Sequence, residues 1–409
     1  MKTNKNSTKN TMQPVPEGTG CSARSAGTRP VFDRHTASGG CDAILSRVDP
    51  KILDLEPYPP GKPLDALKRE YGIHEAVKLA SNENPFGPSP MAVRAIEEAL
   101  QGINRYPDGS SYYLKEALSR HWGISPECIV LGNGSNEVIQ FLIHAFSGPG
   151  TEVISSDPAF LMYRKMVQIF GGQNVLVPLR GYCHDLEAIL AATTQRTRLI
   201  FLDNPHNPTG TAIHRDEFHE FLQRLPEHVL ICLDEAYGEF VRHHWVAQGA
   251  SYIGKDPRVV FLRTFSKVYG LSGLRVGYGV MDQRIASVLE RVRQPFNVNS
   301  LAQVGALNAL MDKDHLEKTL HETWMGLEWY YGRFEEMGFS YCRSNTNFVL
   351  VDTGRDAGAV YQAMLKKGVI IRGMNAYGYH TSIRITMGTR EENARCMTAL
   401  KDVIGDMRG

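Results

Sequence analysis

The chain has 409 residues, 42% hydrophobic and 22% charged, with a net charge of +1. This is the composition of a soluble globular protein, and the length suggests two to three domain-sized units. With no basic block in its body, the chain is not expected to bind nucleic acid or an acidic membrane surface. No apolar run approaches the roughly 20 residues of a membrane-spanning helix. Seven dispersed cysteines without a C-x-x-C pair suit reduced thiols in a reducing, cytoplasmic setting better than a disulfide framework. No metal is expected, because His and Cys show no ligand spacing and His243-His244 reads as a solvated pair.

Residues 1–47 are rich in Asn, Ser, Thr, Gly and Lys without apolar periodicity, which predicts a disordered extension. The segment lacks the apolar stretch of a secretory signal. Its Ser/Thr-rich, acid-poor make-up leaves an organelle transit peptide open beside the favoured reading of a plain tail. Residues 48–77 are expected to form an N-terminal arm that contributes to a small domain. Strands are expected at 128–131, 151–155, 199–203, 229–234, 259–262 and 275–280, with helices at 136–146, 159–170 and 215–225. Alternating α and β elements with continuous apolar strands predict a mainly parallel sheet covered on both faces, placing a large α/β domain at 78–300. A long amphipathic stretch at 315–337 and a strand, helix, strand, strand, helix pattern at 341–408 predict a smaller α+β C-terminal domain, 301–409.

The chemistry-bearing residues sit at predicted strand ends, where open α/β sheets collect ligands. Lys267 in Arg263-Thr-Phe-Ser-Lys267 follows the strand Val259–Leu262, and Arg275 lies shortly after it. A lysine among Ser, Thr, Gly and Arg after a buried strand has the layout of a Schiff-base lysine beside a phosphate pocket; a solvated loop lysine is the plain alternative. Gly132-Asn-Gly-Ser-Asn136 turns from a strand into a helix and is a phosphate-cradle candidate. It lacks the third glycine of a dinucleotide fingerprint, and taken alone such a segment is more often simply a turn. Asn207, in Asn204-Pro-His-Asn-Pro-Thr-Gly210, is expected to aim its amide at a cofactor's phenolic oxygen, and either proline is open to a cis bond. Asp234, in Asp234-Glu-Ala-Tyr237, needs a cation if buried. A pyridinium nitrogen supplies one, with Tyr237 reaching the same ring oxygen as Asn207; a helix cap is the plain alternative for Asp234. Together these residues provide every part a pyridoxal 5'-phosphate site requires.

Several segments in order resemble the fold-type I, class II aminotransferases, and within them the group acting on histidinol phosphate. They are Lys78-Leu-Ala-Ser-Asn-Glu-Asn-Pro-Phe-Gly-Pro-Ser89, Arg105-Tyr-Pro-Asp108, Asp203-Asn-Pro-His-Asn-Pro-Thr-Gly210, Asp234-Glu-Ala-Tyr237, Arg263-Thr-Phe-Ser-Lys267, Phe296-Asn-Val-Asn-Ser-Leu-Ala-Gln303 and Ser382-Ile-Arg-Ile-Thr-Met-Gly388. The resemblance runs from Ile52 to the C-terminus and implies a fold-type I transferase. It implies that Lys267 bonds the cofactor and Asp234 pairs with its ring nitrogen. Asn207 and Tyr237 would bind the ring oxygen, and Ser135, Asn136, Ser266 and Arg275 the phosphate, helped by Tyr106 of the partner subunit. Phe160 would stack on the ring, where many relatives carry Tyr. Arg384 would bind the substrate anion with Tyr58, Asn84 and Arg372 near it. The implied unit is a homodimer with Tyr106 and Tyr58 acting across the interface. The implied reaction moves an amino group from histidinol phosphate to 2-oxoglutarate, through Lys267 as acid and base. Three alternatives stay open. One is an aromatic amino-acid aminotransferase, one a decarboxylase of a phosphorylated amino acid, and one a non-catalytic effector-binding module.

Overall fold

The computed structural model describes residues 43–57, 61–73 and 75–407. The chain divides into two units, Met1–Pro50 and Lys51–Gly409, and all elements named below belong to the second. Residues 1–42 of the expected extension, and the site candidate Tyr58, lie outside the described residues.

Strand β1 (Val77–Lys78) precedes a seven-stranded sheet made of β2 (Ile129–Gly132), β3 (Glu152–Asp157), β4 (Gln173–Pro178), β5 (Thr197–Asp203), β6 (Leu230–Asp234), β7 (Val259–Thr264) and β8 (Gly277–Val280). Its strand order is β2-β8-β7-β6-β5-β3-β4. Pairings from β4 through β7 are parallel, and β8 runs antiparallel to both of its neighbours. The strand expected to begin at 275 begins at Gly277, because Arg275 adopts a left-handed φ of 58° that breaks the extended run.

Period-two alternation sorts each strand between two cores. Ile200, Leu202, Ile231, Leu233 and Phe261 face one layer, with Leu114, Phe218, Phe221 and Ala306. Leu199, Phe201, Leu230, Cys232 and Val260 face the other, with Val138, Leu142, Tyr163 and Leu289. Burying a side chain such as Phe261 completely is worth about 2–3 kcal/mol, and this covering on both faces explains the unbroken apolar runs. The flanking helices relevant to the site are α1 (Ser135–Phe146) and α2 (Met162–Ile169), both on the second face.

A four-stranded sheet in the order β12-β13-β10-β9 carries its own core of Val349, Val351, Ile383, Ile385, Leu400 and Tyr330. Its strands are β9 (Ser340–Tyr341), β10 (Phe348–Asp352), β12 (Arg372–Gly373) and β13 (Ser382–Thr386), while β11 (Val369–Ile370) pairs in parallel with β1. The closing helix, Arg390–Asp406, starts with a reciprocal cap between Thr389 and Glu392, a device worth about 1 kcal/mol. No helix among the described residues is long and apolar enough to cross a membrane.

Candidate active site

A cleft of about 270 Å³ opens at the carboxyl ends of the central strands. It is lined from the sheet side by Ser135, Asn136, Phe160, Asn207, Asp234, Tyr237, Ser266, Lys267 and Arg275. Tyr163, Asp203, Ser81, Asn82, Glu83, Arg372, Tyr377 and Arg384 also line it. Eleven of the sequence candidates therefore meet in one cavity.

One end is built for an anion. Helix α1 begins at Ser135, directly after the β2 turn, so its first N–H groups point into the cleft with the positive end of the helix dipole. Gly134 has φ 83°, and a Cβ there would run into the Arg275 guanidinium; a Cβ on Gly277 would run into the Ser135 backbone nitrogen. These glycines let helix, strand and arginine converge. Arg275 Nη1 donates to Ser266 Oγ at 3.3 Å and to Ser272 O at 3.1 Å. The Asn136 Oδ1 atom is buried without a hydrogen-bond partner; as an acceptor it calls for a donor such as water and not for an anion.

The opposite end of the sheet-side wall is acidic. Asp234, at the end of β6, is 5% exposed. Tyr163 O–H donates to its Oδ2 at 2.8 Å, and the Ala236 N–H to its Oδ1 at 3.2 Å. Burial pushes its pKa up to about 6 against the Tyr163 hydrogen bond, and the nearby Asp203 carboxylate adds to the rise. A buried carboxylate of this kind is poised for a cationic partner. The sequence reading missed Tyr163; its signal was one phenol on the buried face of an amphipathic helix, one turn beyond Phe160.

Between these ends, Lys267 Nζ donates to Ser81 O at 3.1 Å and lies 5.6 Å from the Tyr237 ring centre. Burial, reinforced by Arg384 and Arg275, lowers its pKa to about 8, with Glu83 and Asp234 opposing. Near that pH a large fraction of the amine is neutral and nucleophilic. Tyr237 O–H accepts from Asn82 Nδ2 at 2.8 Å, and burial raises the phenol to about 12.

The facing wall is cationic. Arg384 Nη1 donates to Asn207 Oδ1 at 2.5 Å and Nη2 to Ala80 O at 2.9 Å, with the guanidinium 5.0 Å from the Phe348 ring centre. Arg372 is the direct cross-strand partner of Arg384, so both guanidinium groups stand on one sheet face. Asn84 does not line the cleft. Its Nδ2 donates to Val268 O at 2.7 Å and its Oδ1 accepts from the Phe86 N–H, and Asn82 takes the place in the wall. Tyr106 is 84% exposed and stacks on Phe296, with ring centres 4.9 Å apart. The Asn204–Pro205 bond is cis.

An anion cradle, a ring-sized slot beside Phe160, a buried carboxylate and a depressed-pKa amine suit a flat, phosphorylated, cationic heteroaromatic aldehyde. The family described as aminotransferase class I and II matches residues 74–400. The histidinol-phosphate aminotransferase of Desulfotalea psychrophila is 51% identical over 381 residues, 92% of this chain and 99% of the relative. That of Moorella thermoacetica is 45% identical, covering 88% of this chain and 94% of the relative. Among solved structures, the histidinol-phosphate aminotransferase of Sinorhizobium meliloti in complex with pyridoxal-5'-phosphate has a TM-score of 0.81 at 31% identity, covering 88% of this chain and 98% of that one.

Proposed function

This chain belongs to the aminotransferase class I and II family, and from that premise we propose that it transfers the amino group of histidinol phosphate to 2-oxoglutarate with pyridoxal 5'-phosphate. The observation that carries the reading is the meeting of Lys267, Asp234 and the Ser135–Arg275 cradle in one cleft. The N-terminal N–H groups of the helix that begins at Ser135 and the glycines that admit Arg275 fit a phosphate there.

When bound, the cofactor supplies an electron sink that stabilises negative charge at the substrate Cα. Ser135, Asn136, Ser266 and Arg275 bind its phosphate. Asp234 holds the proton on the ring nitrogen, its own charge supported by the Tyr163 O–H and Ala236 N–H. Asn207 and Tyr237 would bind the ring oxygen, and Phe160 would pack on the ring. Lys267 would hold the cofactor covalently, and its Nζ, once free, would serve as base and acid for the proton of the substrate Cα. Arg384 anchors the phosphate of one substrate and the carboxylate of the other in turn, with Arg372 beside it; a planar guanidinium fork suits both anions. Alternation of the two substrates gives ping-pong kinetics.

The working unit in this reading is a homodimer. The exposed Tyr106 would complete the phosphate site of the partner subunit. Segment 48–77 is the arm, 78–300 the large domain and 301–409 the small one, in a cytoplasmic protein. Turnover with histidinol phosphate and phenylalanine as donors tests the substrate. Histidinol phosphate should be favoured by about two orders of magnitude in kcat/KM, the scale of a lost charge-assisted contact. Equal or greater turnover of phenylalanine would move the protein to the aromatic amino-acid enzymes.

A further inference from the structure

Behind the acidic end of the cleft lies a buried group that the proposed chemistry leaves unused. Asp203 closes β5 and is the direct register partner of Asp234 on β6. In a parallel pair such partners share a sheet face on strands about 4.8 Å apart, and both carboxylates line the cleft. Asp203 Oδ2 accepts the Asn207 N–H at 2.9 Å, whereas its buried Oδ1 has no hydrogen-bond partner. Two imidazoles flank that atom, His184 Nε2 at 3.6 Å and His206 Nε2 at 3.9 Å.

These three side chains form the one metal-like grouping among the described residues, yet their hydrogen bonds speak against a metal. His184 Nε2 faces Asp203 O at 3.0 Å and His206 Nε2 faces Pro158 O at 3.0 Å. A carbonyl only accepts, so both Nε2 atoms carry hydrogen and offer no lone pair. The Nδ1 atoms are taken by Ser156 Oγ and Thr209 Oγ1. Burial lowers both imidazoles to about 4, so they stay neutral at ordinary pH, and it raises Asp203 to about 6, so its charge is present and uncancelled above that pH.

We propose that Asp203 is a positioning residue for the ring end of the cofactor, a second carboxylate whose charge acts through Asp234 to hold the ring-nitrogen proton. This rests on the cofactor reading above. Asp234 and Tyr163 lie on the cleft side, with Tyr163 donating to Asp234; His184 and His206 lie behind. Lys267 and Arg384 line the same cleft, and the Arg384 guanidinium is already engaged by Asn207 and Ala80. With the Lys267 amine bonded to the cofactor, the cation left for the two carboxylates to share is the ring. Asp203 also caps the turn leading to Asn207, so loss of structure and loss of charge must be told apart.

Asp203→Asn keeps an acceptor for the Asn207 N–H and removes only the charge; Asp203→Ser does the same with a smaller group. The holoenzyme, loaded with pyridoxal 5'-phosphate, is titrated with pH while the visible absorbance of the Lys267-linked cofactor is followed. A nearby negative charge favours the protonated chromophore, so both variants should move the midpoint down by about half a pH unit or more, with unchanged circular dichroism. An unmoved midpoint in a folded variant overturns the proposal. Failure of both variants to fold overturns it too, assigning Asp203 to the turn. Absence of any visible band in the unaltered holoenzyme would instead sink the cofactor reading, and this inference with it.

Discussion

The two walls of the cleft are built on different principles. The sheet-side wall takes Asn207, Asp234, Lys267 and the Ser135 cradle from positions at or just beyond the ends of β5, β6, β7 and β2, so a local pattern of apolar run plus polar turn supplies each one. The facing wall joins residues far apart in the chain. The Asn82 N–H donates to Thr386 Oγ1 across 304 positions, and Arg384 reaches Ala80 O across the same separation. The sheet-side wall is held by a rigid parallel sheet buried on both faces. The other depends on β12 and β13 keeping their register against the segment 79–84. A site that holds one permanent cofactor and exchanges two substrates gains from that division, because precision is needed at the sheet and adaptability opposite it.

Breaking the sheet-side wall should cost most. Lys267→Ala removes both the covalent hold and the proton carrier, and turnover should fall by about 10⁴-fold or more, a typical scale for loss of a covalent acid–base group. Peptide mapping after reduction of the loaded wild type should place the cofactor on Lys267. Asp234→Asn should lower turnover by roughly 10³-fold, or about 4 kcal/mol, and should also change stability. Without the ring cation, Asp234 is a buried carboxylate whose folded pKa of about 6 lies above the usual 3.8. The folded state therefore binds its proton more tightly than the unfolded state, and the group destabilises the fold increasingly as pH rises from about 4 to about 6. The cofactor-free variant should melt higher than the cofactor-free parent at pH 7.5; a lower melting point would contradict this account of its burial.

On the facing wall, Arg384→Ala should weaken both half-reactions, by about 10²-fold in kcat/KM each. If only one half-reaction suffers, the shared anchor is wrong and Arg372 becomes the better choice for the other anion. A smaller effect concerns Lys267 itself. Its pKa of about 8 predicts that cofactor capture by the cofactor-free protein accelerates as pH rises toward 8 and levels above it, because only the neutral amine attacks. Tyr163→Phe should be mildest. Loss of one hydrogen bond to a buried carboxylate costs about 1–2 kcal/mol, and cofactor affinity should fall about tenfold.

What the sequence makes legible follows the same division. The strands of the central sheet are readable because burial on both faces leaves unbroken apolar runs such as Val259–Leu262. Strand β4 escapes because it is an edge strand, half exposed and ending in Pro178. Helix Ser300–Met311 escapes because small apolar residues surround it without a polar face, so no helical period stands out. At the site, Lys267, Asp234 and Arg275 carry their own local signatures. Asn82 does not, and the neighbouring Asn84 looks equivalent in the motif. Only the left-handed backbone at Asn82, φ 56°, and its ties to Tyr237 and Thr386 decide which asparagine enters the cleft. His184 and His206 meet at Asp203 because β5 and the loop before Leu186 fold together, a tertiary fact with no sequence period.

The most direct measurement is a two-step spectral cycle on the loaded protein. Histidinol phosphate alone should abolish the visible band of the Lys267-linked cofactor in a single turnover, and 2-oxoglutarate alone should then restore it, releasing one glutamate per site. Release of carbon dioxide, or a band that 2-oxoglutarate does not restore, would contradict amino-group transfer as the work of this cleft.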